Sequence, residues 1–138
     1  MLKIKVHDPE CTPTSAYDNA AAIDLRLSHD VFIQPGEIQK LGLGISIQLD
    51  DNTAGLVLPR SSCKGFVLTN GIGLIDPDYR GELFIKMRSV TNEPMFFPKG
   101  ERIVQLMVTP FVPGFKIVDN IETNTTRGAG GDGSSGKK

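Results

Sequence analysis

Leu41-Gly42-Leu43-Gly44-Ile45-Ser46-Ile47-Gln48-Leu49 places an apolar side chain at every odd position. That two-residue period fits a strand with one face in a core, and Asp50-Asp51-Asn52 follows as a turn. The same alternation recurs on either side. Leu2, Ile4 and Val6 alternate with Lys3 and Lys5, and Ile23, Leu25 and Leu27 share a face opposite Asp24 and Arg26. Further strands are expected at 54–58, 66–69, 83–87 and 103–109. Pro35-Gly36, Asn70-Gly71, Pro98-Lys99-Gly100 and Pro113-Gly114 supply the turns between them. No stretch of a dozen residues carries a helical stripe. Short strands with turn signals about every ten residues predict an all-β sandwich or barrel.

The bulk numbers fit one such domain. The 138 residues are 39% hydrophobic and 22% charged, ordinary values for a globular chain. Fifteen basic against sixteen acidic residues leave no excess positive charge for binding long nucleic acid. The polar start MLKIKVHDPE does not read as a signal peptide, and no apolar run reaches membrane-span length. Cys11 and Cys63 are far apart without paired spacing and are expected as free thiols, in a cytoplasmic protein. From Thr123 to Lys138 the composition turns to Gly and Ser, and such a segment cannot offset its own ordering entropy. The division is therefore a β domain at 1–122 and a flexible arm at 123–138.

Several chemistries are poorly supported. Two histidines without H-E-x-x-H or C-x-x-C do not make a zinc site, and no G-x-S-x-G elbow points to a serine hydrolase. The terminal G-D-G-S-S-G-K-K lacks the hydroxyl and the following helix that a phosphate loop needs. The densest polar cluster is Asn70-Gly-Ile-Gly-Leu-Ile-Asp76-Pro-Asp78-Tyr79-Arg80-Gly81-Glu82, with two carboxylates, a tyrosine and an arginine in a tight turn between strands. Pro59-Arg60-Ser61-Ser62 ends an apolar strand with a cation and two hydroxyls. Each alone is equally compatible with a solvated turn or strand end.

Taken in order, five segments resemble the motifs of the trimeric dUTPase family. These are Ala22-Ile-Asp24-Leu25, Pro59-Arg-Ser-Ser62, Gly73-Leu-Ile-Asp76-Pro-Asp78-Tyr79-Arg80-Gly81, Gly100-Glu-Arg102-Ile-Val-Gln105-Leu106, and Arg127-Gly-Ala-Gly-Gly-Asp132-Gly-Ser-Ser-Gly136. The third is the most specific. The resemblance implies a distorted jelly-roll or barrel of the β-clip type and hydrolysis of dUTP to dUMP and pyrophosphate. It implies Asp76 as the carboxylate that activates water. It further implies Mg²⁺ held mainly by the triphosphate, with Asp24 contributing through metal-bound water. Arg60, Ser61, Ser62 and Gln105 would meet the phosphates, and Arg127, Gly133 and Ser134 of the arm would close over them. Asn70, Leu74, Ile75, Tyr79 and Phe84 would hold the base and sugar. The family forms its sites between the subunits of a homotrimer.

Three departures stand out: Ala22 and Ser62 replace glycines, and Asp132 occupies the place of a phenylalanine that stacks on uracil. Stacking contributes roughly 1–3 kcal/mol per base, so Asp132 implies weaker closure of the arm. Two competing readings are a dCTP deaminase of related fold and a nucleotide-binding regulator without turnover. The first is tested by ammonia release from dCTP, the second by binding without pyrophosphate release.

Overall fold

The computed structural model describes residues 1–131. Its strands are β1 (Lys3–Val6), β2 (Ile23–Arg26), β3 (Val31–Ile33), β4 (Ile38–Gln48), β5 (Thr53–Pro59), β6 (Phe66–Leu68), β7 (Gly73–Ile75), β8 (Glu82–Ser89), β9 (Met95–Phe97) and β10 (Arg102–Pro110). The one helical element among the described residues is a 3-10 turn at Pro9–Cys11. All strand pairings are antiparallel, in sheets ordered β1-β4-β8-β6, β2-β10-β5-β7 and β3-β9. The chain is all-β, a distorted jelly-roll barrel around one core.

β4 is the strand its alternation predicts. Leu41, Leu43, Ile45, Ile47 and Leu49 are all buried against Leu25, Leu27, Leu83, Ile85 and Met87 of the same core. Its register against β8 slips between Gly42↔Phe84 and Ser46↔Glu82, so four steps on β4 span two on β8. Two extra residues preserve the inward phase of the odd positions. Gly44 carries the bulge at φ +64, where a Cβ would also collide with Cys11, and its N–H donates to Glu82 Oε1 at 3.0 Å.

The other expected strands form with ends moved by one or two residues. Three-residue strands β3, β7 and β9 appear in addition. Val6 is half-exposed rather than buried, because β1 lies at a sheet edge. Both cysteines are free thiols. No helix among the described residues is long and apolar enough to cross a membrane.

Regular pairing ends at Pro110. In the segment that follows, Val112, Phe115, Ile117 and Ile121 are between 78% and 92% exposed. Among the described residues, nothing covers this run of apolar side chains.

Candidate active site

Two polar centres sit at opposite ends of one strand, β5. The first is built by the hairpin that joins β7 to β8. Asp76-Pro77-Asp78-Tyr79 closes as a turn, with Tyr79 N–H donating to Asp76 O at 3.2 Å. Arg80 folds back on that turn, its Nη1 donating to the carbonyls of Pro77 (2.6 Å) and Tyr79 (3.0 Å). The Tyr79 hydroxyl donates to Glu82 O at 2.9 Å, and its ring crosses Gly81 where any Cβ would overlap it. Local chemistry alone therefore fixes the tyrosine's orientation.

Asn70, Gly73, Leu74, Ile75, Asp76, Tyr79, Leu83 and Phe84 line a cleft of about 180 Å³ beside this turn. All six sequence-predicted residues of the hairpin region, Asn70, Leu74, Ile75, Asp76, Tyr79 and Phe84, belong to it. Among the described residues β7 terminates its sheet and pairs only with β5, so they leave its outer backbone edge open to a ligand. Leu74 is 63% exposed on the rim and Asp76 is exposed at the mouth.

The second centre gathers at the far end of β5. The central strand β10 aligns Gln105 with Asp24 of β2 on one side and Leu58 of β5 on the other. This brings Asp24 next to Arg60, just beyond β5. Asp24 is a buried carboxylate, 6% exposed, and accepts from Arg60 Nε at 2.8 Å and Arg102 Nη1 at 3.1 Å. Arg60 Nη1 also donates to Arg102 O at 3.1 Å. A buried anion between two guanidinium groups is paired rather than isolated, which is the condition for burying it at all.

Gln105 Nε2 donates to Pro59 O at 2.9 Å, bracing the strand end. Cys63 N–H donates to Arg60 O at 2.9 Å and closes a turn that presents Ser61 and Ser62 to solvent. Arg60, Ser62, Lys64 and Arg102 line a cavity of about 240 Å³ here, floored by Phe66, Phe97 and Ile103. Cys63 borders it, but burial pushes its thiol pKa up, so it stays protonated near neutral pH. Arg102 and Lys64 are cations that the site prediction missed. Arg102 had a signal, standing in the same segment, Gly100-Glu-Arg102-Ile-Val-Gln105-Leu106, as Gln105.

The remaining sequence-predicted residues lie elsewhere. Arg127 is in the exposed segment after β10 and donates from Nε to Gly130 O at 2.8 Å. Gly133 and Ser134, with Asp132, lie outside the described residues.

The two centres are well separated within the chain. β5 and β7 pair as Gly55↔Ile75 and Val57↔Gly73, which sets Asp76 opposite Ala54. Arg60 lies six residues farther along, about 20 Å at strand rise. One chain thus offers a hairpin cleft and a cationic strand end that face different places.

A family model described as dUTPase matches residues 9–136. The deoxyuridine 5'-triphosphate nucleotidohydrolase of Psychrobacter sp. (strain PRwf-1) is 41% identical over 133 residues, covering 91% of this chain and 86% of that protein. The enzyme of the same name from Hahella chejuensis is 43% identical, covering 91% and 87%. Among solved structures, a mutant dUTPase of Staphylococcus bacteriophage 80alpha with dUpNHpp superposes with a TM-score of 0.87 at 23% identity, covering 99% and 98% of the two chains. The dUTPase of Streptococcus mutans gives 0.76 at 27% identity, covering 83% and 98%.

Proposed function

This chain belongs to the dUTPase family, and on that premise we propose that it hydrolyses dUTP to dUMP and pyrophosphate, with Asp76 as the residue that activates water. The carrying observation is the hairpin cleft, in which Asn70 and the open edge of β7 face an aromatic wall and Asp76 stands at the mouth. That arrangement suits a pyrimidine held by its polar edge, with its phosphates leading outward past a carboxylate. Cytosine would set donor against acceptor and leave buried groups unmatched. Tyr79, pinned by its bond to Glu82 O, would pack under the sugar and leave no space for a 2'-hydroxyl.

At the mouth, Asp76 orients a water and accepts its proton as the oxygen attacks the α-phosphorus in line. The pyrophosphate leaving group gathers charge, and Arg60, the Ser61–Ser62 turn and Gln105 supply donors for it. Asp24 keeps the Arg60 guanidinium in place. Arg127, Gly133 and Ser134 are assigned to closing over the outer phosphates. On this reading 1–122 is the hydrolytic body and 123–138 the closing arm.

The donor set fits Mg²⁺ as a partner of the nucleotide rather than as a resident ion. Among the described residues no three carboxylates, imidazoles or thiols converge. Asp24 already engages both oxygens with arginines, but each keeps a lone pair for a water. Bound on the triphosphate, Mg²⁺ would neutralise charge on the leaving group.

The separation of Asp76 from Arg60 exceeds the span of a triphosphate, so the site needs a second copy of the chain to bring the two centres together. The uncovered apolar side chains after β10 need the same. A homotrimer with sites shared between subunits meets both needs. The cellular role would be removal of dUTP and supply of dUMP for dTMP synthesis in the cytoplasm. The test is incubation with dUTP, dCTP, dTTP and UTP plus Mg²⁺, with chromatographic separation of products. dUMP and pyrophosphate from dUTP alone support the reading. Ammonia from dCTP, or binding of dUTP without turnover, would replace it.

A further inference from the structure

Charge balances over the whole chain, 15 basic residues against 16 acidic, but not on the outer face of the β1-β4-β8-β6 sheet. The alternation that buries the leucines and isoleucines of β4 and β8 turns Lys40, Lys86 and Arg88 outward, and Lys3 and Lys5 of β1 share that face. Among the described residues Glu82 is the one carboxylate on these strands, and its Oε1 already accepts from Gly44 N–H at 3.0 Å. Like charges gathered without counter-charges oppose one another, as Lys40 and Lys86 do in direct cross-strand register. A bound anion relieves that opposition.

Three cations converge at one end of this face. Lys3 and Lys5 stand two residues apart on β1, in register with Gln48 and Ser46 of β4. Arg80 of the β7–β8 hairpin joins these four around a cleft of about 260 Å³ whose lining holds no carboxylate. None of the three cations forms an ion pair among the described residues. Arg80 is preset as well. Its Nη1 is committed to the carbonyls of Pro77 and Tyr79, which leaves Nε and Nη2, the two nitrogens of a bidentate fork, without a hydrogen bond among the described residues. Ser46 Oγ, 2.9 Å from His7 Nε2, and the Gln48 amide add neutral donors.

We propose that this cleft is a second anion site, separate from the cationic strand end, which takes a compact phosphate-bearing anion such as pyrophosphate and through Arg80 tightens the Asp76–Tyr79 turn. Lys3 and Lys5 neutralise the anion's charge, and the Arg80 fork fixes its orientation. The guanidinium then holds the anion on one edge and two turn carbonyls on the other, so occupancy restrains the turn that carries Asp76. The anion site stands without the function proposed above; only the consequence of a restrained turn for catalysis rests on that reading.

The test is titration of the ¹⁵N-labelled protein, without Mg²⁺, by pyrophosphate, inorganic phosphate and sulfate at an ionic strength held constant with KCl. Backbone amide signals of Lys3, Lys5, Ser46 and Arg80 report the cleft, and those of Ser61, Ser62 and Lys64 report the strand end. The expected result is saturable shifts at the cleft, tighter for pyrophosphate than for sulfate, with inorganic phosphate showing whether one phosphoryl group suffices. The double variant Lys3→Gln/Lys5→Gln weakens pyrophosphate at the cleft by roughly tenfold, the scale of two exposed ion pairs, while the strand-end signals titrate as before. Saturating pyrophosphate slows hydrogen exchange at the Tyr79 amide, which donates to Asp76 O, by roughly 2- to 5-fold. Arg80→Lys keeps the charge without the fork and loses that slowing. Should the double variant not fold, Lys5→Gln alone reads the same signals. Shifts at the strand end alone, or equal weak shifts with all three anions, overturn the site. Cleft binding with unchanged Tyr79 exchange overturns its link to the turn. A protein that releases no pyrophosphate from dUTP overturns the proposed function and leaves these measurements readable.

Discussion

Mixing two inactive variants should restore activity if each site draws on two chains. Asp76→Asn disables the hairpin centre, and Arg60→Gln disables the strand-end centre. The two residues stand near opposite ends of β5, six strand positions apart after Asp76 is placed opposite Ala54, or about 20 Å. Under the proposed function no single triphosphate bridges that distance, so an intact site would take Asp76 from one subunit and Arg60 from another. With equal amounts and random reassembly, a site has one chance in two of a native Asp76 and one in two of a native Arg60. About a quarter of the sites are then intact in a closed, symmetric oligomer.

The assay is pyrophosphate release from dUTP by each variant alone, by the mixture before subunit exchange, and by the mixture after mild denaturation and refolding. The expected result is activity near a quarter of wild type only after exchange. Recovery that stays at the mean of the two variants, with exchange verified by mass, would show that both centres serve one site within a single chain.

Asp76→Asn alone should still bind a non-hydrolysable dUTP analogue by calorimetry while turning over dUTP at least ~10²-fold more slowly, the usual scale of a lost general base. Asp24→Asn should lose roughly 1.5–4 kcal/mol in denaturant titration. Its bond to the largely buried Arg60 accounts for about 1.5–3 kcal/mol, whereas the bond to the more exposed Arg102 adds at most ~1 kcal/mol; an unchanged midpoint would show that the guanidinium pair is not held by charge. Asp8 is held below the usual carboxylate range chiefly by Lys99, whose Nζ lies 2.6 Å from its Oδ2, and then by Glu10 N–H. A lowered carboxyl contributes stability above its unfolded pKa and loses it as pH falls through the lowered value. Wild type should therefore lose melting temperature relative to Asp8→Asn as pH drops below about 4, and equal acid sensitivity in both would contradict the assignment.

The long strands could be read directly because burial imposes a two-residue period that survives over nine residues in 41–49. Even its two-residue bulge preserves that period. β3, β7 and β9 are three residues each, too short for alternation to register, and they form because neighbouring strands supply pairing partners. Local turn chemistry made the Asp76–Gly81 hairpin conspicuous, and its residues converge as their spacing suggests. The clamp on Asp24 was not legible, since Arg60 and Arg102 lie 36 and 78 positions away and meet it only through sheet order. Asp24 was expected on the polar face of β2, and it is buried there because two cations accompany it. The separation of the two polar centres was equally hidden, because it depends on which end of β5 each motif reaches.

The central claim is attack by water on the α-phosphorus, directed by Asp76, and isotope placement tests it most directly. Hydrolysis of dUTP in H₂¹⁸O, with mass analysis of both products, should put one heavy oxygen in dUMP and none in pyrophosphate, at a rate that collapses in Asp76→Asn. Label in pyrophosphate would mean attack at the β-phosphorus, and an undiminished rate in Asp76→Asn would remove the carboxylate from the reaction.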